Sequence, residues 1–105
     1  MNQQLYPNHV SIAGEVTMVT DLGSTVAHGH KVIITLYNPH SQRPSYDMST
    51  KVVLYGRIGT RFLETYRPEQ VYTYPALLIT GRLAVEKDGS LFVIAHVYHE
   101  MEVAE

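Results

Sequence analysis

Hydrophobic and polar residues alternate along five segments of this chain, and a period of two is typical of half-buried β-strands. The predicted strands are residues 9–16, 31–37, 50–58, 76–86 and 91–98. In the fourth strand, Leu77, Ile79 and Leu83 alternate with Leu78, Thr80 and Arg82. Between the last two strands, the pair Asp88-Gly89 indicates a tight hairpin turn, because such turns need residues that accept a positive φ.

The third predicted strand, residues 50–58, has two unlike faces. Successive side chains on a strand point to opposite sides. Val52 and Leu54 therefore lie on one side, and the other side carries Lys51, Tyr55 and Arg57. The first side is aliphatic and belongs in a core. The second side places an aromatic ring between two cations, which makes it the leading candidate for a functional surface.

A short helix is predicted after the third strand. Gly59 ends the strand, Thr60 is a favourable N-cap residue, and Pro68 prevents the helix from continuing. Residues 71–75 are predicted to be an extended connection, since Pro75 interrupts a β-prone segment. The element order is therefore strand, strand, strand, helix, strand, strand.

This order predicts an all-β protein with the OB-fold, a five-stranded antiparallel Greek-key barrel with one short helix between strands 3 and 4. An SH3-like barrel also has five strands, but its helical element comes late and is usually a single 3₁₀ turn. The chain has 105 residues, so we expect a single domain over residues 1–105, in which residues 1–7 form a flexible lead.

The longest irregular segment, residues 38–49, joins the second and third strands. It contains two prolines and carries His40, Arg43 and Tyr46. Loops of about a dozen residues in small domains are often functional, so we expect this loop to close over a ligand bound on the neighbouring strands. A second segment, residues 17–26, is predicted to be either a loop or a continuation of the first strand with a turn.

The charge of the chain is slightly acidic, but its bases are concentrated in the middle. Eight Lys and Arg stand against ten Asp and Glu, which gives a formal net charge of −2, whereas nucleic-acid-binding domains usually have a basic excess. Five of the eight bases lie between Arg43 and Arg67. A basic surface on a domain of neutral or acidic net charge is physically reasonable, because distribution decides the local potential.

Several function classes find no support in the sequence. There is no cysteine, so disulfides and thiolate metal sites are excluded, and the six histidines form no complete ligand set. No nucleophile elbow or phosphate-cradling glycine loop is present. We expect no enzymatic activity, no cofactor and no metal. No signal-peptide pattern or membrane-length apolar run occurs, so we expect a cytoplasmic protein without a membrane partner.

Five segments resemble, in order and spacing, parts of the bacterial single-stranded DNA-binding proteins. They are residues 8–14, 31–36, 52–58, the helix that ends at Tyr66, and 79–83, and together they span about residues 8–103. The most specific is the run Val53-Leu54-Tyr55-Gly56-Arg57-Ile58, which leads into the helix. The chain departs from the family in having no tryptophan and in ending at Glu105 without the acidic tail. It is similar in this to a tailless variant or to the primosomal replication protein.

The resemblance implies an OB-fold homo-oligomer, dimeric or tetrameric, that binds single-stranded DNA without sequence preference in replication, recombination or repair. It also indicates replication proteins as candidate partners. Tyr55 matches the family's stacking aromatic, Arg57 its phosphate-contacting cation, and Lys51 a basic position of the same strand. His40 falls near a position where the family often has tryptophan.

The residues themselves allow two interpretations. Single strands bind to flat rings on which bases stack and to cations that follow the phosphates. Tyr37 and Tyr46 would supply further rings, and Arg43 and Lys87 further cations. Alternatively, tyrosine is frequent in strands because of its β propensity, and the barrel is a protein-interaction or oligomerisation module. The net negative charge favours that alternative.

Overall fold

The computed structural model describes residues 8–25, 29–39, 42–43, 45 and 47–101. Five strands close a barrel in the order β1-β2-β3-β5-β4. They are β1 (Val10–Thr25), β2 (Gly29–Asn38), β3 (Met48–Tyr55), β4 (Leu77–Val85) and β5 (Leu91–Glu100), with α1 (Arg57–Thr65) and a 3₁₀-helix (Pro68–Thr73) between β3 and β4. The predicted architecture of five strands with a short helix after the third is confirmed. No helix in this part of the chain is long and apolar enough to cross a membrane.

The core is built from alternate residues of the strands and closed by α1. Val32, Ile34 and Leu36 of β2 are completely buried, as the alternating pattern predicts. Phe62 of α1 is also completely buried, and its ring lies 5.0–6.1 Å from three tyrosine rings. These tyrosines are Tyr66, Tyr74 and Tyr98. The aromatic cluster therefore anchors the helix on the barrel.

The prediction that all strands pair antiparallel is wrong at one seam. Val52 and Val53 of β3 pair in parallel with Val93 and Ile94 of β5, while the other neighbouring strands pair antiparallel. Alternation along one strand carries no information about which distant strand lies beside it. A closed ring of five strands cannot alternate in direction throughout, so one neighbouring pair must be parallel, and here it is β3 and β5.

The boundary between β3 and α1 lies three residues earlier than predicted. Gly56 has a φ of 65°, and its N–H donates a hydrogen bond to the carbonyl oxygen of His30 at 2.6 Å. The chain therefore turns at Gly56, and Thr60 lies inside the helix, where its N–H donates to the Gly56 carbonyl at 3.1 Å. Arg57 is thus the first residue of α1 and does not belong to the strand.

Three other segments differ from the prediction or complete it. Residues 17–26 proved to be mainly a continuation, because β1 extends to Thr25 with two irregularities in its pairing to β2. Residues 71–75 are not extended throughout, since the 3₁₀-helix runs to Thr73. Leu83 lies on the same inward side of β4 as Leu77 and Ile79, because it pairs with the buried Val93, but it stands near the end of the strand and is 37% exposed.

Candidate nucleic-acid interface

One outward surface of the barrel crosses four strands, and we call it the outer face. The pairings Lys31–Tyr55, Ile33–Val53 and Thr35–Lys51 join β2 to β3. Val53 then pairs with Ile94 of β5, and Ile94 and Phe92 pair with Arg82 and Ala84 of β4. The outer face therefore consists of Lys31, Ile33, Thr35, Lys51, Val53, Tyr55, Phe92, Ile94, Arg82 and Ala84.

The centre of the outer face is apolar. Ile33, Val53 and Ile94 form a row across three strands. Val53 is only 1% exposed although it lies outside the core cluster, so its neighbours on the outer face cover it. Rings and cations stand on both sides of this row, which gives the face an apolar floor between two polar ends.

Tyr55 stands on one side of the apolar row with a lysine beside it. The ammonium nitrogen of Lys31 lies 5.6 Å from the centroid of the half-buried Tyr55 ring. This is the geometry of a cation–π contact. Lys31 was not among the predicted site residues. Its outward position was visible in the alternation, but its place beside Tyr55 depends on the register between β2 and β3.

Lys51 stands on the opposite side of the apolar row and is already paired. Its ammonium donates a hydrogen bond to Oε1 of Glu86 and lies 5.7 Å from the centroid of the Phe92 ring. The other oxygen of Glu86 accepts a hydrogen bond from Oγ of Ser90 at 3.0 Å. The hydrogen bond from Lys51, and then that from Ser90, holds the pKa of Glu86 below its usual value. Glu86 is therefore ionised at neutral pH and competes for Lys51 with any bound phosphate.

Arg57 lies just beyond Tyr55, where α1 begins, and it borders a groove of about 460 Å³. We call this the helix groove. Its lining residues are Arg57, Ile58 and Arg61 of α1 and His96, Val97 and Tyr98 of β5. Arg61 and His96 were not singled out as binding residues from the sequence. No local signal marked them, because the groove exists only once β5 packs beside α1.

The other predicted site residues that the structure describes are Tyr37, Arg43 and Lys87, and none of them is among the ten residues of the outer face. Tyr37, at the end of β2, donates a hydrogen bond to Oδ2 of Asp47 at 2.5 Å, and this bond raises the pKa of Tyr37. Arg43 is exposed in the loop, and Lys87 is exposed at the β4–β5 turn beside Glu86. His40 and Tyr46 lie outside the described residues, so their predicted roles remain predictions.

The predicted residues of β3 are brought together with new partners. Lys51 and Tyr55 share the outer face, and Arg57 continues the line on the helix, so the stripe read from the sequence bends at Gly56. Where the structure describes the chain, no group of three or more His, Asp or Glu is placed to hold a metal ion. The arrangement offers rings, cations and an apolar floor, which are the elements of a surface for an extended, flat-ringed, anionic ligand.

Several solved structures share this barrel. The SSB domain of a protein from Synechococcus sp. has a TM-score of 0.71 over 93% of this chain and 100% of that chain, at 12% identity. The mitochondrial single-stranded DNA-binding protein Rim1 from S. cerevisiae has a TM-score of 0.71 over 96% and 100%, at 12% identity. PriB from Ralstonia solanacearum has a TM-score of 0.64 over 92% and 100%, at 14% identity.

These identities are too low to show more than a common fold. No family model matches the sequence, and no curated relative matches it either. The overall fold is nevertheless shared with a set of structures whose names describe single-stranded DNA binding or PriB. The chain thus has the OB-fold, as predicted, in the form found in single-stranded DNA-binding proteins.

Proposed function

We propose that this chain is a single-domain protein that binds single-stranded DNA on its outer face, without sequence preference and without catalysing a reaction. The observation that carries the proposal is a pair of ring–lysine contacts on one surface. Tyr55 has Lys31 at 5.6 Å, and Phe92 has Lys51 at 5.7 Å. Between the two pairs lies the apolar row that contains Val53.

The spacing of these contacts suits an extended strand. Lys51 and Tyr55 are four residues apart on β3, which corresponds to roughly 13 Å along the strand. Bases would stack on Tyr55 and Phe92, and each stacked base contributes on the order of 1–3 kcal/mol. Lys31 and Arg57 would pair with phosphates, as would Lys51 once a phosphate displaces Glu86.

The margins of the outer face would extend the contact. Tyr37 stands at the end of β2 before the loop to β3. In this proposal the loop, with His40, Arg43 and Tyr46, closes over the bound strand. Lys87 would meet the strand at the β4–β5 turn, since OB-fold loops commonly contact the ligand. The fold of the neighbours and the charges on this face support these roles.

We further propose that the protein is a homo-oligomer that acts in DNA replication, recombination or repair. The N-terminal domain of PriB from Thermoanaerobacter tencongensis has a TM-score of 0.65 to this chain at 16% identity, and its structure is described as dimeric. A dimer or tetramer would let one DNA strand cross several outer faces. Binding to more than one face would raise the overall affinity through effective concentration.

The direct test is fluorescence anisotropy of a labelled oligo-dT titrated with the protein at low and at moderate salt, with light scattering for the mass. We expect tight binding at low salt that weakens as salt rises, with a slope of about −0.7 for each phosphate contacted. A duplex of the same length should bind more weakly. Absence of oligo-dT binding at low salt would overturn the proposal.

The alternative interaction module has one observation in its favour. A groove of about 460 Å³ opens among the ends of β1 to β5 and is lined largely by apolar side chains. Met48, Leu83 and Leu91 of this groove are 48%, 37% and 58% exposed. A protein that fails to bind oligo-dT but self-associates strongly would favour this second function.

A further inference from the structure

We propose that the helix groove binds phosphates of the same DNA strand after it passes Tyr55, and that Arg61 and His96 hold them together with Arg57. This inference rests on the proposed function and extends the binding path from the sheet onto α1. It assigns a binding role to two residues that neither the sequence pattern nor the outer face includes.

The charged side chains that line the helix groove are basic, although Glu64 lies close enough to act on Tyr98. Three of its six lining residues are Arg57, Arg61 and His96, and its lining, drawn from the described residues, includes no acid. All three side chains are exposed and therefore accessible to a ligand. The pKa of Tyr98 is raised by burial and by the nearby charge of Glu64, and lowered by that of Arg61. Arg61 therefore acts at the same wall of the groove as Tyr98.

The two arginines lie on one face of the helix. Residues four apart on a helix are neighbours, about 5–6 Å between their Cβ atoms. Ile58 packs against the core and Phe62 is completely buried. Each arginine is one position before one of these residues, about 100° around the helix, so both arginines stand beside the buried side of α1. Arg57 also occupies the first turn, where the helix dipole disfavours a cation. A phosphate bound there would compensate both the arginine and the dipole.

A β-bulge exposes His96 beside the helix. Thr80 pairs with Val97 and Gly81 pairs with Ala95, so His96 is the extra residue of β5. A Cβ on Gly81 would lie 2.0 Å from the carbonyl oxygen of Ile94, so this close approach requires glycine. Bulges commonly redirect a side chain next to a functional site. Here His96 and Val97 are both exposed and both line the groove.

The groove continues the outer face in a direction set by the parallel seam. Val53 pairs with Ile94, and β3 and β5 run the same way. Tyr55 and His96 each lie two residues further along their strands, so the groove and the Tyr55 ring are at the same end of the outer face. Guanidinium groups bind phosphate oxygens through paired N–H donors, so a phosphodiester chain that leaves the ring is the ligand this chemistry fits.

The test compares R61M and H96Q, singly and together, with R67M as the matched control. Methionine removes the charge of arginine but retains an unbranched stem, and Arg67 is an exposed arginine outside the groove. Oligo-dT of about sixteen and of about four nucleotides brackets the usual site size of an OB-fold. For the longer strand, we expect R61M to weaken binding several-fold and to reduce the salt slope by about 0.7. R61K should retain most of the slope, because the charge remains.

The outcomes separate this inference from the proposed function. If the wild type binds and R61M and R61M/H96Q keep its affinity and salt slope, the helix groove does not bind phosphates. The proposed role of the outer face would then still stand. Equal losses with the short and the long strand would also overturn the proposed order of contacts. If neither wild type nor variants bind oligo-dT at low salt, the proposed function and the groove both fail. Thermal melting of each variant shows whether the fold is retained.

Discussion

The two ends of the outer face carry the same kind of charge in different states. The hairpin end is the end beside the β4–β5 turn. There Lys51 donates a hydrogen bond to Glu86, whose second oxygen accepts one from Ser90. The helix end is the end at which α1 begins. There Arg57 and Arg61 line the helix groove, whose lining among the described residues includes no acid. A phosphate at the hairpin end must displace a carboxylate, whereas at the helix end it meets cations directly.

Under the proposed function, this difference would allow a protein of net charge −2 to bind an anionic strand. Glu86 neutralises Lys51 at the hairpin end, whereas the charged lining residues of the helix end are basic. Local distribution of charge, rather than its sum, decides the potential that a ligand meets. Binding and its salt dependence should therefore be dominated by Tyr55 and the helix end, with the hairpin end as an adjustable contribution.

Among variants that test the comparison of the two ends, Gly81→Ala should be the most disruptive. It should remove the bulge that exposes His96 at the helix end. The added methyl group would lie 2.0 Å from the carbonyl oxygen of Ile94, so β4 and β5 must shift apart. Such overpacking costs about 1–3 kcal/mol and sometimes more. We expect a clear loss of thermal stability, measured by circular dichroism. Thr80→Ala, one residue earlier, should cost much less, and equal stability of wild type and Gly81→Ala would contradict the bulge geometry.

Tyr55→Ala should have the largest effect on binding among variants that retain the fold, because Tyr55 stands between the two ends. Losing one stacked base should weaken oligo-dT binding by about 1–3 kcal/mol, measured by anisotropy at fixed salt. Tyr55→Phe should bind nearly as well as wild type, since stacking needs the ring and not the hydroxyl. Tyr72→Ala is the matched control, because Tyr72 is 84% exposed and lies on the 3₁₀-helix. An unchanged affinity for Tyr55→Ala would remove the stacking role.

The parts of the fold that alternation encodes were predictable from the sequence. Val32, Ile34 and Leu36 are buried because each second residue of β2 faces inward. The order of strands and helix along the chain follows from turn and helix signals. The helix start was not predictable in the same way. Gly56 and Gly59 are both plausible ends for β3, and Ile58 prolongs the alternation that conceals the turn at Gly56.

The site was predictable only along single strands. Lys51 and Tyr55 share a face by periodicity, but the partners Glu86 and Lys31 come from other strands and depend on register and barrel closure. Glu86 is 35 residues from Lys51 in the chain. To predict that His96 lines the groove, one would need to know of the bulge in β5. A bulge is a local exception to the period of two on which the prediction relied. Pairing between distant segments is therefore the information that the pattern lacked.

Glu86→Gln should have the smallest effect on oligo-dT affinity, and it is the sharpest test of the difference between the two ends. The amide keeps the size of the side chain but lacks its charge, so Lys51 is no longer neutralised. We expect oligo-dT binding to tighten by a few-fold and the salt slope to become steeper by about 0.7, as one more phosphate is paired. Glu69→Gln, on the exposed 3₁₀-helix, is the control for the change in net charge alone.

If Glu86 weakens binding by neutralising Lys51, the gain in affinity of Glu86→Gln must depend on Lys51. In the double variant K51M/E86Q, affinity and salt slope should match those of K51M, because no cation remains to be released. A gain that persists in the double variant, or that Glu69→Gln reproduces, would mean that Glu86 acts through the net charge and not through its bond to Lys51. Such a result would leave the helix end as the part of this face where specific residues determine the binding of phosphates, and the hairpin end as a surface that only contributes to the overall potential.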